Sequence, residues 1–197
     1  PGAWPKLLAC HDLRDFHQDL ASWAELDRPT VFRRSIGGDA RDCVPLGLPL
    51  PPSMGRKRLT LACSPIDVMR TASPLLLREV LPAVPARWRP TIDALLAEGI
   101  SWRCYGSLAW QHITGLPYLT NSSDLDLLVC CSSHAQAAQA TGLLANISAH
   151  APMRIDAELT SSAGAAVQWR EWSSGAAELL AKSNAGATFV TREALFP

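Results

Sequence analysis

The chain has 197 residues, 48% of them hydrophobic and 18% charged, enough for one good-sized domain or two small ones with a compact core. Eighteen basic residues balance eighteen acidic ones, and a formal charge of zero excludes a protein built to coat nucleic acid or an anionic membrane. No apolar stretch approaches the ~20 residues that span a bilayer, and the chain does not open on a basic-then-apolar signal pattern, so a cytoplasmic protein is expected.

In chain order, the first third is irregular. "HDL" at His11 and "PTVFRRS" read as short strands, and "HQDLASWAEL" spaces Leu20, Trp23 and Leu26 as a helix does. Between Arg28 and Arg58, seven basic residues (Arg28, Arg33, Arg34, Arg41, Arg56, Lys57, Arg58) stand against two acidic ones (Asp39, Asp42), a net of +5. That stretch is either a solvated loop or a face for a polyanion. "VPLGLPLPPSMGRKRLTLACS" is too rich in proline and glycine for long helices and predicts extended segments and turns, with a strand from Arg58 to Cys63. "PLLLREVL" after Pro74 predicts a helix opened by proline.

The second part is more regular. "RPTIDALLAEGI" predicts a helix with Thr91 as N-cap and Gly99 as its stop. "SWRCYG" predicts a strand, "SLAWQHITG" a short helix, "SDLDLLVCC" a buried strand and "HAQAAQATGLLANISAHA" a helix. "RIDAEL" and "AAVQWREW" predict two strands around the turn "TSSAG", "GAAELLAKS" a helix and "ATFVT" a closing strand. Pro82, Pro85 and Pro90 cluster at the change of character, which predicts an N-terminal α+β domain over residues 1–84 and a second domain over 85–197. The six cysteines, at 10, 43, 63, 104, 130 and 131, make no C-x-x-C pair and read as reduced thiols.

The chemistry centres on Ser123-Asp124-Leu125-Asp126-Leu127. On a strand, Asp124 and Asp126 project to one face ~6.6 Å apart, with Leu125 and Leu127 on the other. Two carboxylates side by side repel unless a cation lies between them, and hard oxygen ligands suit Mg²⁺, with Mn²⁺ as a substitute. Upstream, Gly106-Ser107 ends a predicted strand and opens a helix, a turn whose N–H groups, hydroxyl and dipole favour a phosphate. The residues between Ser107 and Asp124 allow one short helix and a return, so that turn and acid strand can meet. Downstream, Asp156 and Glu158 share a strand face, and either supplies a third carboxylate to bind metal or accept a proton. Asp156 is preferred.

The Gly-Ser turn, the D-x-D pair and a third acid resemble the nucleotidyltransferase superfamily that includes DNA polymerase β. A closer resemblance covers most of the chain: "GSLAWQHITGLPYLTNSSDLDLLV" is similar to the core of the malonate decarboxylase holo-acyl-carrier-protein synthases, the phosphoribosyl-dephospho-CoA transferases called MdcG. "HDL" at His11, "VPLGL" at Val44, "WREW" at Trp169 and the late Lys182 are looser matches, and Cys10 stands where an arginine is expected. The resemblance implies an α+β fold, a nucleotidyltransferase-like C-terminal domain with a mixed sheet and flanking helices after a smaller irregular N-terminal domain that binds donor or carrier protein. It implies attack by a serine of the malonate decarboxylase acyl carrier protein on triphosphoribosyl-dephospho-CoA, with pyrophosphate leaving. Asp124, Asp126 and Asp156 would hold metal, and Gly106 and Ser107 would grip the outer phosphates.

Arg56, Lys57 and Arg58 either neutralise the triphosphate, greet an acidic carrier protein or simply face solvent. Arg170 and Lys182 are candidates for the leaving pyrophosphate, Arg170 also for a structural ion pair. Gln111 and His112 sit on the helix after the turn, and Trp110, Trp169 and Trp172 read as core. Two alternatives stay open: an adenylyltransferase using an ordinary nucleoside triphosphate, and a phosphate-binding module of the same fold without catalysis.

Overall fold

The structure, a computed structural model, describes residues 8–9, 17–35, 39 and 42–196. The expected "HDL" strand and residues Cys10, His11 and Arg41 lie outside them. The chain divides between Ser73 and Pro74 into two compact units.

In the first unit, strands β1 (Leu8–Ala9), β2 (Val31–Phe32), β3 (Val44–Pro49) and β4 (Arg58–Cys63) form an antiparallel sheet in the order β1-β4-β3-β2. Helix α1 (His17–Glu25) precedes β2, as its apolar spacing predicts, and Trp23 is buried with its indole N–H on the Pro29 carbonyl at 2.9 Å. Leu46, Leu48, Leu59 and Leu61 alternate inward on β3 and β4. Pro52–Met54 forms a tight 3₁₀ turn ended by left-handed Gly55 and Arg56, so β3 and β4 join through a hairpin whose tip is this turn, with Arg56 and Lys57 on the arm leading into β4.

The second unit is built on a seven-stranded mixed sheet in the order β11-β10-β9-β8-β7-β6-β5. Its strands are β5 (Leu75–Leu76), β6 (Arg103–Tyr105), β7 (Leu125–Cys130), β8 (Ile155–Thr160), β9 (Ala166–Gln168), β10 (Leu179–Ser183) and β11 (Gly186–Val190). Only β7 and β8 pair in parallel, and the crossover that such a pair requires is helix α4 (His134–Ser148), capped by the Ser133 hydroxyl. Leu125, Leu127, Val129, Ile155, Ala157 and Leu159 bury one face of β7 and β8. They share a core with Ile92 and Leu95 of α2 (Arg89–Ala97), Ala137, Ala140 and Leu144 of α4, and Trp169 and Trp172 of α5 (Trp169–Ser173). Helix α3 (Gly106–Thr114) follows β6 directly and ends at left-handed Gly115, and α6 (Arg192–Leu195) closes the described chain.

Several sequence expectations are corrected here. The division falls about ten residues before the proline cluster, because Leu75 and Leu76 already pair with Cys104 and Arg103, and Leu77 and Val80 are fully buried in the second core. "PLLLREVL" is therefore a short strand and turn rather than a helix, with the Leu76 N–H held by the Glu79 carboxylate at 2.6 Å. Thr91 lies inside α2, whose N-cap is Trp88. "AAVQWREW" is a strand only to Gln168 and then turns into α5. "GAAELLAKS" ends in strand β10: good helix formers are overruled by ladders to β9 and β11, and burial of Leu179 and Ala181 alternates with Leu180 and Lys182.

The five described cysteines, Cys43, Cys63, Cys104, Cys130 and Cys131, are free thiols. Burial, with the nearby Asp126 charge second, pushes the Cys104 thiol up to about 12, and burial followed by Cys130 pushes Cys131 up to about 11. A thiol reacts as thiolate, so both resist modification at neutral pH. Brief maleimide labelling of the native protein followed by peptide mapping should therefore modify exposed Cys130 well before Cys104 or Cys131. Equal labelling of all three would contradict this packing. No helix among the described residues is long and apolar enough to cross a membrane.

Candidate active site

The second face of the large sheet carries the expected acids. Tyr105 on β6 pairs with Asp126 on β7, and Asp126 pairs across the parallel ladder with Asp156 on β8. Residues opposite each other share a sheet face, so these three side chains stand in one row. One step along, Leu128, Glu158 and Gln168 form the next row. All six are half-buried, neither sealed in the core nor fully solvated.

Asp124 lies one residue before β7, where the Leu125 N–H still bonds to the Arg154 carbonyl at 2.9 Å and continues the ladder. Leu125 between the two acids is fully buried, so alternation sets Asp124 and Asp126 on the side away from it. The Asp124 carboxylate is 36% exposed and 3.9 Å from the Arg154 guanidinium, a loose pair that leaves it accessible.

The glycine turn meets the acid strand. Gly106 has φ +64°, a conformation L side chains rarely adopt, and it opens α3. A Cβ built on Gly106 would lie 1.7 Å from the Asp126 Oδ2 and 2.6 Å from its Cγ. The carboxylate therefore occupies the space that any other residue at 106 would need. The N-cap residue Tyr105 gives α3 no side-chain cap, so an anion here meets first-turn N–H groups and the positive end of the helix dipole. Ser107, half-buried, is the second residue of that turn.

Sequence reasoning missed two residues of this face. Burial, then the charges of Glu158, Asp126 and Asp156, pushes the Tyr105 phenol well above the ordinary tyrosine range. It stays a neutral donor among acids. Gln168 donates from Nε2 to the Asp156 Oδ1 at 3.0 Å. Its position just ahead of "WREW" carried no signal of that contact, because the bond depends on the strand register.

Asp156 lies directly across from Asp126, and Glu158 faces Leu128 one row further on. The donor chemistry of Asp126 and Asp156 fits Mg²⁺, which usually takes one or two carboxylates together with substrate phosphates. Among the described residues no group of three or more His, Cys, Asp or Glu side chains is arranged to hold a metal ion alone. Asp124, Asp126 and Asp156 thus make no ready-built cage, and any cation held here completes its shell with phosphate and water.

The other candidates divide. Among the described residues Arg170 makes no acid pair: its guanidinium donates to the Ile155 carbonyl at 2.9 Å and stacks 4.3 Å over Trp169, one residue from Asp156. Lys182 is not brought to the acids. It pairs with Ala166, in the row of Thr160 and Cys130, three strands from β7 and four residues beyond Asp126. Arg56, Lys57 and Arg58 are exposed on the hairpin of the first unit, while Arg33 is committed to a two-point ion pair with Asp39. Gln111 accepts from the Tyr118 and Leu119 N–H groups, a structural role, and Trp169 and Trp172 are core.

Comparison with known proteins matches both parts of the chain. The family described as phosphoribosyl-dephospho-CoA transferase MdcG N-terminal domain matches residues 6–74, and its C-terminal domain matches 76–193. The two matches meet where the structure divides. A phosphoribosyl-dephospho-CoA transferase of Bradyrhizobium diazoefficiens is 42% identical over 187 residues, covering 93% of this chain and 82% of the relative. One of Xanthomonas campestris is 36% identical over 201 residues, covering 100% and 88%. One of Xanthomonas euvesicatoria is 38% identical over 182 residues, covering 90% and 85%. No solved structure matches the chain.

Proposed function

This chain belongs to the phosphoribosyl-dephospho-CoA transferase MdcG family, and from that premise we propose that it is the transferase that loads the malonate decarboxylase acyl carrier protein. The donor is triphosphoribosyl-dephospho-CoA. A serine hydroxyl of the carrier attacks the phosphorus nearest the ribose, the bond from that phosphorus to the bridging oxygen of pyrophosphate breaks, and a phosphodiester remains. The second unit works as a nucleotidyltransferase-like catalytic domain. The observation that carries this reading is the seating of the Asp126 carboxylate against Gly106, with Asp156 directly opposite Asp126.

Phosphoryl transfer asks the protein mainly for positioning and charge neutralisation. Asp126 and Asp156, with Asp124 beside them, would hold Mg²⁺, which supplies charge neutralisation on the triphosphate. Ser107 and the first turn of α3 receive the outer phosphates. Asp156 accepts the proton of the attacking hydroxyl, and the neutral Tyr105 phenol faces the same space as a donor. Arg170, bonded to the Ile155 carbonyl next to Asp156, would add positive charge on the pyrophosphate side, whereas Lys182 stands three strands from Asp126. The exposed Arg56-Lys57-Arg58 hairpin suits an anionic partner, the carrier protein or the donor's phosphates.

Mass spectrometry of apo carrier subunit incubated with this protein, Mg²⁺ and the triphosphoribosyl donor should show the prosthetic group on one serine and an equivalent of pyrophosphate released. ATP in place of the donor should leave the carrier unmodified. Efficient AMP transfer, with none from the triphosphoribosyl donor, would make the chain an adenylyltransferase instead.

A further inference from the structure

Three consecutive side chains at the β9–α5 junction grip β8 at one point. Trp169 Nε1 and a guanidinium N–H of Arg170 both donate to the Ile155 carbonyl, at 3.2 and 2.9 Å. Gln168 holds the next residue, Asp156, by its Oδ1. The Gln168 amide cannot face the other way. Its Oε1 accepts from the Arg170 and Glu171 N–H groups at 2.6 and 3.2 Å as the cap of α5, and backbone N–H groups only donate. The cap thus fixes the amide nitrogen on the sheet side, where Asp156 is its acceptor.

We propose that Gln168 is a positioning residue for transfer, using the N-cap of α5 to fix one oxygen of Asp156 and leave the other for the reaction. This rests on Asp156 being a working acid, as argued above. An unsupported carboxylate opposite Asp126 would swing away from its like-charged neighbour; the amide holds it in the row. Outer-shell partners of this kind are typically worth about 10–100-fold in activity or metal affinity. The residue thus does two separable things: the oxygen stabilises α5 and the nitrogen orients the acid.

Separation of the two decides the matter. Serine at an N-cap accepts the same backbone N–H groups but is too short to reach Asp156, so Gln168→Ser keeps the cap and removes the donor. Gln168→Ser is expected to melt close to wild type, with kcat for carrier loading lowered about 10–100-fold and donor KM little changed. Gln168→Ala loses both functions and should match that kcat loss with a lower Tm. Gln168→Asn, whose amide is one methylene shorter, repeats the comparison should the serine variant fold poorly. In the background of Asp156→Asn, adding Gln168→Ser should cost nothing further, because the two act through one group. Wild-type kcat in Gln168→Ser, or a second full loss on top of Asp156→Asn, would overturn the positioning role. Unimpaired transfer by Asp156→Asn alone would instead remove Asp156 from the mechanism, a different failure read from a different variant.

Discussion

Replacing Gly106 by alanine is expected to stop transfer while leaving both units folded. The added Cβ would lie 1.7 Å from Asp126 Oδ2, far inside any tolerable contact, and the obstacle is no flexible surface side chain. Asp126 sits on a central strand tied by ladders to β6 and β8, so its backbone cannot retreat. Either its carboxylate rotates out of the row with Tyr105 and Asp156, or α3 tilts away from the strand. Both separate the Gly106 turn from the acid. The left-handed φ of +64° adds about 1–2 kcal/mol of backbone strain for a residue with a side chain. A displacement of an ångström at reacting groups can cost about 10²-fold, so at least that loss in kcat/KM is expected, with a modest fall in Tm. Gly142, inside α4, has nothing within 4 Å of its would-be Cβ. Gly142→Ala should therefore keep full activity and raise stability by up to about 1 kcal/mol, which controls for the substitution itself. Wild-type rates in Gly106→Ala would show that the contact between turn and acid is incidental.

How legible this site was in the sequence follows from the range of the interactions that build it. Strand–turn–helix at Arg103 to Thr114 and the D-x-D strand are local patterns, and Gly106, Ser107 and Asp126 stand together in the structure as their spacing implied. The choice between Asp156 and Glu158 turns on the register of a parallel pair joined by a long crossover, which no local pattern fixes; that register sets Asp126, not Leu128, opposite Asp156. Gln168 and Tyr105 went unnoticed for the same reason, since each reaches an acid only across strands. "GAAELLAKS" has helical composition, and the place of Lys182 on β10, three strands from Asp126, comes from ladders to β9 and β11. The proline cluster drew the division too late, because prolines mark turns wherever they occur, whereas the boundary is set by where Leu75 to Val80 bury themselves.

Asp126→Asn should separate function from stability in opposite directions. In the folded chain Asp126 faces Asp156 across a parallel ladder with Glu158 one row away, and like charges directly opposite each other on a sheet are destabilising. Asparagine keeps the shape against Gly106 and removes one of those charges, so Tm without metal should be equal to wild type or higher. Transfer, by contrast, should fall roughly 10³-fold or more, equivalent to about 4 kcal/mol of lost transition-state stabilisation, as expected of a carboxylate that holds the metal on the triphosphate. Mg²⁺ supplies the linked measurement: a cation that binds only the native protein raises its Tm with concentration, and that rise should shrink or vanish in Asp126→Asn. Asp124→Asn, at the more exposed position beside Arg154, should lose transfer too while shifting metal-free stability little. A carboxylate kept merely for the fold would give the reverse pattern, a lower Tm with transfer largely preserved. Stability gained as activity disappears is what distinguishes acids crowded together to work on a phosphate from acids that happen to line a sheet.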